Sequence, residues 1–303
     1  GLLNKEAADI TFATLAWSDA VVWNPAGEFH PKGNSDQCLR LLLLARMVQK
    51  LGQQLSIVNH SLEATDPLIN QLIAHVYKDA QFVSVREQGS YDAAMTLGIP
   101  APIVHIIPDL VFLAALPEYR RAATAPFSIK SGSIVLSING LEAERGGDGW
   151  DLMLAKLSKM NAPITFLSNS MNDDIPFARE FKQKFDIDVP EVQLGYLQML
   201  EAYRDASVVI SSRLHASILA LNAGVPVVSI EPQQFKLTAI FEQLQYPFAT
   251  ERMGEPGWAE RVVANTAAAL EKRDEVVAEG GKALDRQVGR ILEGYAPMLG
   301  MLA

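Results

Sequence analysis

Apolar, β-branched runs alternate with helix-period segments along almost the whole chain. That alternation restricts the fold to parallel βαβ units, because parallel neighbours need a long crossover, usually a helix. In the first half, strands are predicted near Asp19–Asn24, Gln54–Asn59, Gln81–Val85 and Ile103–Ile107. Helices are predicted over Asp36–Leu51, Pro67–Tyr77 and Ser90–Leu97, the last stopped by Gly98. The pattern lapses over Pro117–Gly132, a polar stretch with Pro and Gly that reads as a linker. It restarts with strands near Ser133–Ile138, Ile164–Ser168, Ala206–Ile210 and Val225–Ile230. Between and after these, helices are predicted at Trp150–Lys159, Pro176–Phe185, Tyr196–Tyr203, His215–Ala223 and Leu237–Leu244, then a long charged helical segment, Trp258–Leu292. A chain of 303 residues that is 49% hydrophobic can bury two cores. The expected fold class is α/β, two Rossmann-like domains with parallel sheets facing a cleft: residues 1–122 and 123–303, the last helix returning to the first domain.

Composition excludes several classes of function. The formal net charge is −9 and no block is rich in Lys or Arg, which argues against a nucleic-acid partner. The single cysteine, Cys38, excludes an intramolecular disulfide and fits a reducing cytoplasm. No His/Cys/carboxylate spacing argues for a metal, and no cofactor motif is present. The opening GLLNKEAADITF lacks the cationic-then-apolar pattern of a signal peptide. Apolar runs such as Leu39–Ala45 are far shorter than the ~20 residues that cross a bilayer. The expectation is a cytoplasmic protein, with room for peripheral association at the inner face of a membrane.

Candidate chemistry gathers where predicted strands give way to helices. In Ser211–Lys236 (SSRLHASILALNAGVPVVSIEPQQFK), Arg213, Leu214 and His215 open a helix beyond a strand's carboxyl end, and Gly224 closes it. Unpaired backbone N–H groups and the helix dipole favour an anion there, and open α/β sheets bind ligands at such ends. A histidine so placed can exchange protons near neutral pH. The bland alternative is an arginine paired with a surface carboxylate and a solvated histidine. The loop Asn24–Asn34 (NPAGEFHPKGN) puts a carboxylate, Glu28, and an imidazole, His30, near the carboxyl end of another strand, as site groups or as loop decoration. Arg86, in VREQGS after QFVSV, faces the cleft or forms a surface salt bridge. The Gly-rich loop Asn139–Gly149 could cradle phosphate, although its spacing fits neither the Walker nor the dinucleotide pattern. His60 follows LSIVN and is a weaker cleft candidate; His105, within IVHII, reads as a core or sheet-face residue, and His75 lies on a helix.

The block SSRLHASILALNAGVPVVSIEPQQFK resembles the polysaccharide pyruvyl transferase family, through Arg213, Leu214, His215, Gly224, Pro226 and Lys236. VSVREQGSYDAAMTLGIP followed by HIIPDLVF is similar to a second family segment, through Arg86, Ser90, Gly98, Pro108 and Asp109. NPAGEFHP is similar to the family's Gly-rich first-domain loop. The resemblance spans roughly Asp19–Leu244. The chain departs from the family at its start: relatives open with a strand and an N-x-G-D loop, whereas Asn4 is here followed by Lys5 and Glu6.

The resemblance implies a GT-B-like fold and transfer of pyruvate from phosphoenolpyruvate to two hydroxyls of a sugar as a ketal. The acceptor would be a glycan of the cell envelope, such as an exopolysaccharide, or its lipid-linked precursor. On that reading Arg213 and Arg86 hold the donor's phosphate and carboxylate, with Leu214, Lys236 and Asn139 on the donor side. His215 exchanges protons as the hydroxyl attacks, while Glu28, His30 and His60 face the acceptor. Two other readings compete: a GT-B glycosyltransferase using a nucleotide-sugar, and a catalytically silent glycan-binding member of the family.

Overall fold

The structure is a computed structural model that describes residues 5–31, 33–119, 125–168, 170–232 and 235–302, with side chains from residue 9 onward. Asn4 and residues 120–124 of the expected linker lie outside the described residues. The chain divides into two compact units, Gly1–Leu110 with Gly289–Ala303, and Val111–Val288. The division falls ahead of the Pro117–Gly132 stretch. Val111 already belongs with the second unit, where its carbonyl accepts a hydrogen bond from Asn222 Nδ2 at 3.3 Å.

The first unit runs α1 (Lys5–Trp17), β1 (Ala20–Trp23), α2 (Ser35–Lys50), β2 (Gln54–His60), α3 (Pro67–Tyr77), β3 (Phe82–Val85), α4 (Gln88–Thr96) and β4 (Val104–Ile106). Its four strands are parallel and in sequence order. Local chemistry sets the helix starts. Asn34 caps α2 by accepting from Gln37 N, and Asp66 caps α3 by accepting from Leu68 N and Ile69 N, with Pro67 in the first turn. The buried face of α2, Cys38, Leu42, Ala45 and Val48, keeps helical spacing and packs with Leu55, Ile57, Val83 and Val85 of the sheet. The alternate strand residues Phe82 and Ser84 meet Tyr295: the Tyr295 and Ser84 hydroxyls lie 2.8 Å apart, and Phe82 also stacks on His105 at 4.6 Å. Both faces of the sheet are therefore covered, as the nearly continuous burial of β2 requires.

The second unit runs β5 (Ser133–Ser137), α5 (Gly149–Leu157), β6 (Ile164–Phe166), α6 (Met171–Lys184), β7 (Ile187–Asp188), α7 (Tyr196–Tyr203), β8 (Ala206–Ser211), α8 (Leu214–Asn222), β9 (Val227–Glu231), α9 (Lys236–Leu244), β10 (Glu251–Arg252), α10 (Trp258–Glu271) and the first part of α11 (Arg273–Leu302), whose residues from Gly289 onward belong with the first unit. All pairings are parallel, in the order β10-β9-β8-β5-β6-β7. This is the doubly wound order of dinucleotide-binding folds. The core centres on Ile134, Leu136, Phe166, Val208, Ile210 and Val228, with Trp150 of α5 edge-on to Trp258 of α10 at 4.8 Å.

Several elements differ from expectation. Residues 5–17 form a helix, and the segment expected as one helix from Trp258 is two, parted at Lys272. Helix α6 starts at Met171 and carries Pro176 inside it, because Asp174 in its first turn reaches back to Ser170 N at 3.1 Å and secures the earlier start. The Gly-rich loop after β5 is wound into a 3-10 helix, Gly140–Gly146.

His60 ends β2 fully buried, 3.1 Å from the Tyr77 hydroxyl through Nε2. Burial, reinforced by the nearby Arg86 charge, pushes its imidazole down to about 3. The unfolded chain therefore binds a proton below the ordinary 6.5 that the fold refuses, and stability should fall as pH drops from 6.5 towards 3. His60→Gln should flatten that decline in melting temperature; an unchanged slope would show that other groups set acid stability.

Candidate functional site

In the second unit the direction of winding reverses between β5 and β8, whose register ends Ser137 opposite Ser211. Chain segments leaving these two strands part in opposite directions and open a crevice at the carboxyl ends. Cross-bonds stitch its walls: Ser212 N donates to Ser137 O at 3.0 Å, and Asn139 N donates to Ser212 Oγ at 2.8 Å. Ser211 Oγ accepts from Arg213 N at 3.0 Å, and Ser217 N and Oγ both donate to Arg213 O. These bonds hold Arg213 in an extended conformation, φ −109° and ψ 119°, directly before α8, so that Leu214 and His215 supply its first turn. Gly224, at φ +75°, ends the same helix in a conformation that an L-residue adopts only with strain.

Beyond the crevice lies a pocket of about 380 Å³, lined among others by Asn139, Glu142, Arg213, His215, Glu231 and Lys236. Arg213, Leu214, His215, Asn139 and Lys236, each expected from sequence on the donor side, come together here. The first turns of α8 and α9 both border the pocket, through Leu214 and His215 and through Lys236 and Leu237. Arginine and lysine side chains joined to two helix N-termini make an anion-selective surface.

Two acidic residues of this site escaped the sequence reading. Asp174, fully buried on α6, forms an ion pair with Arg213 Nη2 through Oδ1. The same carboxylate accepts from Gly140 N at 3.1 Å, Ser168 Oγ at 3.2 Å and Ser170 N at 3.1 Å. It thereby joins the loops after β5, β6 and β8. Gly140 is required at this junction, since a Cβ there would stand 2.0 Å from Asp173 O. Arg213 stays 22% exposed, and its Nε is buried without a hydrogen-bond partner.

The second is Glu231, the last residue of β9 and only 4% exposed. Its Oε2 accepts from Thr238 N at 3.0 Å and so caps α9. Burial pushes its carboxyl up to about 7, against the N–H groups of Thr238 and Leu237 and the charges of Lys236 and Arg252. A signal existed in the sequence, an acidic residue closing the apolar run VVSIE. Asp174 offered none, because nothing local ties an acidic helix start to an arginine in a distant loop.

The remaining expected residues lie in the first unit, and two are buried rather than presented at a surface. Arg86 is 2% exposed: Nη1 donates to Asp109 Oδ2 at 2.6 Å, and Nε and Nη2 donate to Ser61 Oγ. It is a buried ion pair rather than a surface salt bridge, because the Asp109 carboxylate just past β4 neutralises it. His60 is fully buried against Tyr77. Glu28 and His30 remain half-buried and accessible on either side of Phe29, which is buried and bridges to Leu62. Their loop is braced by Cys38 Sγ donating to Glu28 O at 3.4 Å and by Gly33 N donating to His30 O at 2.8 Å. Among the described residues no group of His, Cys, Asp and Glu could hold a metal ion, and no helix is long and apolar enough to cross a membrane.

Asp174→Ala should lower unfolding free energy by about 3 kcal/mol, because it strands Arg213 and two part-buried N–H groups, and Asp174→Asn should cost less. Chemical denaturation checks this; a loss below ~1 kcal/mol for the alanine variant would mean that the carboxylate is not the brace described.

The fold has many counterparts. UDP-GlcNAc 2-epimerase from Methanocaldococcus jannaschii superimposes with a TM-score of 0.58 at 14% identity, covering 96% of this chain and 83% of that one. Anabaena Alr3699/HepE, solved in complex with UDP and glucose, gives 0.60 at 11% identity, covering 97% and 80%. UDP-GlcNAc 2-epimerase from Neisseria meningitidis gives 0.58 at 12%, covering 97% and 82%. At such identities the likeness establishes the GT-B fold alone. No curated protein matches the chain in sequence. The family model for polysaccharide pyruvyl transferase, however, matches residues 3–234, a span that includes both the Arg86 segment and the Arg213–His215 junction. With that match over most of its length, the chain belongs to the polysaccharide pyruvyl transferase family.

Proposed function

We propose that the protein transfers pyruvate from phosphoenolpyruvate to two hydroxyls of a sugar, forming a ketal on an envelope polysaccharide or its lipid-linked precursor. One observation carries this reading: Arg213, His215 and Lys236 share a compact pocket of about 380 Å³ at the reversal point of the second unit's sheet. Phosphoenolpyruvate is a small trianion with a phosphate and a carboxylate to hold. The partly exposed guanidinium of Arg213 suits either oxyanion, and Lys236 and the first N–H groups of α8 and α9 add charge without reorganising. His215 accepts a hydroxyl proton as the sugar oxygen attacks the donor's C2. Glu28 and His30 serve on the acceptor side, their loop following β1 in the first unit. The silent-member alternative is disfavoured because the pocket keeps an arginine, a lysine and a histidine together.

A nucleotide-sugar donor is the second reading, favoured by the fold's solved counterparts: the M. jannaschii epimerase was solved with UDP-GlcNAc and UDP, and the Anabaena protein with UDP and glucose. Thermal shift separates the two. Phosphoenolpyruvate should raise the melting temperature, with ~2.7 kcal/mol of added stability at a hundredfold excess over Kd, and uridine diphosphate should not. The reverse result moves the assignment to glycosyl transfer. Arg213→Ala should abolish the phosphoenolpyruvate shift. His215→Ala should keep it while turnover falls by ~10²–10⁴-fold, and full activity in that variant would remove His215 from the chemistry.

A further inference from the structure

Ketal formation from phosphoenolpyruvate turns the donor's methylene into a methyl group, so one proton must be delivered to C3 while two leave the sugar hydroxyls. A single histidine cannot both supply the first and accept the second in one step. The pocket needs a separate acid, one that still holds its proton beside a site built for anions.

Resting on the pyruvyl-transfer reading, we propose that Glu231 is the acid that protonates C3 of the donor, opposite His215 acting as base. Glu231 and His215 line the same pocket from neighbouring strands, at the end of β9 and just beyond the end of β8. Glu231 is nearly inaccessible from the protein's surface and is anchored by Thr238 N on one oxygen, so its carboxyl has a fixed position on the pocket wall. The pocket's other carboxyl, Glu142, is half-exposed and accepts from Asn139 Nδ2 at 3.2 Å. Around Glu231 stand Lys236 and the first N–H groups of α9, Arg252 of β10, Arg213 and His215 at the start of α8, and Glu142. Despite those cations its carboxyl stays protonated to about neutral pH, and a bound trianion raises its proton affinity further.

The protons then balance over two steps. In the first, the Glu231 carboxyl protonates C3, a sugar oxygen bonds to C2, and His215 takes that hydroxyl's proton. In the second, the C2–O bond to phosphate breaks and the second sugar oxygen bonds to C2. Phosphate leaves with the proton from His215, and the second hydroxyl's proton returns to Glu231. Both groups end as they began, Glu231 protonated and His215 neutral.

Calorimetric titration with phosphoenolpyruvate in buffers of different ionisation enthalpy tests this. At pH 8 the native protein should take up about one proton per donor bound, and affinity should fall about tenfold per pH unit as pH rises above about 7. Glu231→Gln keeps an oxygen for Thr238 N; it should bind the donor with no proton uptake and a flat pH profile. Phosphate release from phosphoenolpyruvate with methyl glycosides as acceptors should slow by ~10²–10⁴-fold in that variant. No proton uptake by the native protein, or the same uptake in Glu231→Gln, overturns the assignment, as does its transfer to His215→Ala as the variant that loses uptake. Should Glu231→Gln fail to fold, the native titration alone decides. If native protein ignores phosphoenolpyruvate and binds uridine diphosphate, the parent reading fails and this one falls with it, a result distinct from donor binding without a proton.

Discussion

The candidate site depends on one buried carboxylate. Parallel strands deliver several loops to the same end of a sheet, and each loop arrives with unpaired N–H groups that water or side chains must satisfy. Asp174 does this for two of them, at Gly140 N and Ser170 N, and neutralises Arg213 on a third. An arginine held at one edge by a carboxylate keeps its charge and loses its freedom, which is the condition for binding an anion without reorganisation. The close approach of Gly140 to Asp173 and the chain of bonds from Ser137 through Ser212 to Asn139 belong to the same brace.

The first unit solves the same problem with the same pair and gets a different result. Arg86 and Asp109 tie the ends of β3 and β4, and Ser61 brings in the end of β2. Here the guanidinium is enclosed, whereas Arg213 remains partly open. Topology accounts for the contrast: the four strands in sequence order have no reversal, while the reversal between β5 and β8 holds a crevice open beside Arg213. One pair is therefore fully enclosed, and the other leaves its arginine partly exposed.

Much of this was legible from local pattern. Helices α3 and α7 have the bounds that their caps and periodicity predict, since Asp66-Pro67 and the apolar spacing act over a few residues. The junction at Arg213 and His215 was readable for the same reason. What escaped was either too short or too distant. Strands β7 and β10, two residues each, leave no period to detect. The helix α1 lacks a clean apolar stripe, and Ile10, Phe12 and Trp17 on it are exposed. Arg86 read as a cleft residue because it follows a strand, and only the partner at the end of β4 shows that it is spent.

The sequence by itself determined the alternation of strands and helices, the parallel class of both sheets and the cluster of anion-binding residue types at one strand end. These follow from periodicity, capping and residue chemistry, which are local. Tertiary structure alone decided which of two strand-end arginines is sealed and which is presented, that Asp174 is the counter-charge, and that Glu231 shares a pocket with His215. Those outcomes depend on strand order and on burial, and both arise from contacts between residues that the sequence keeps far apart.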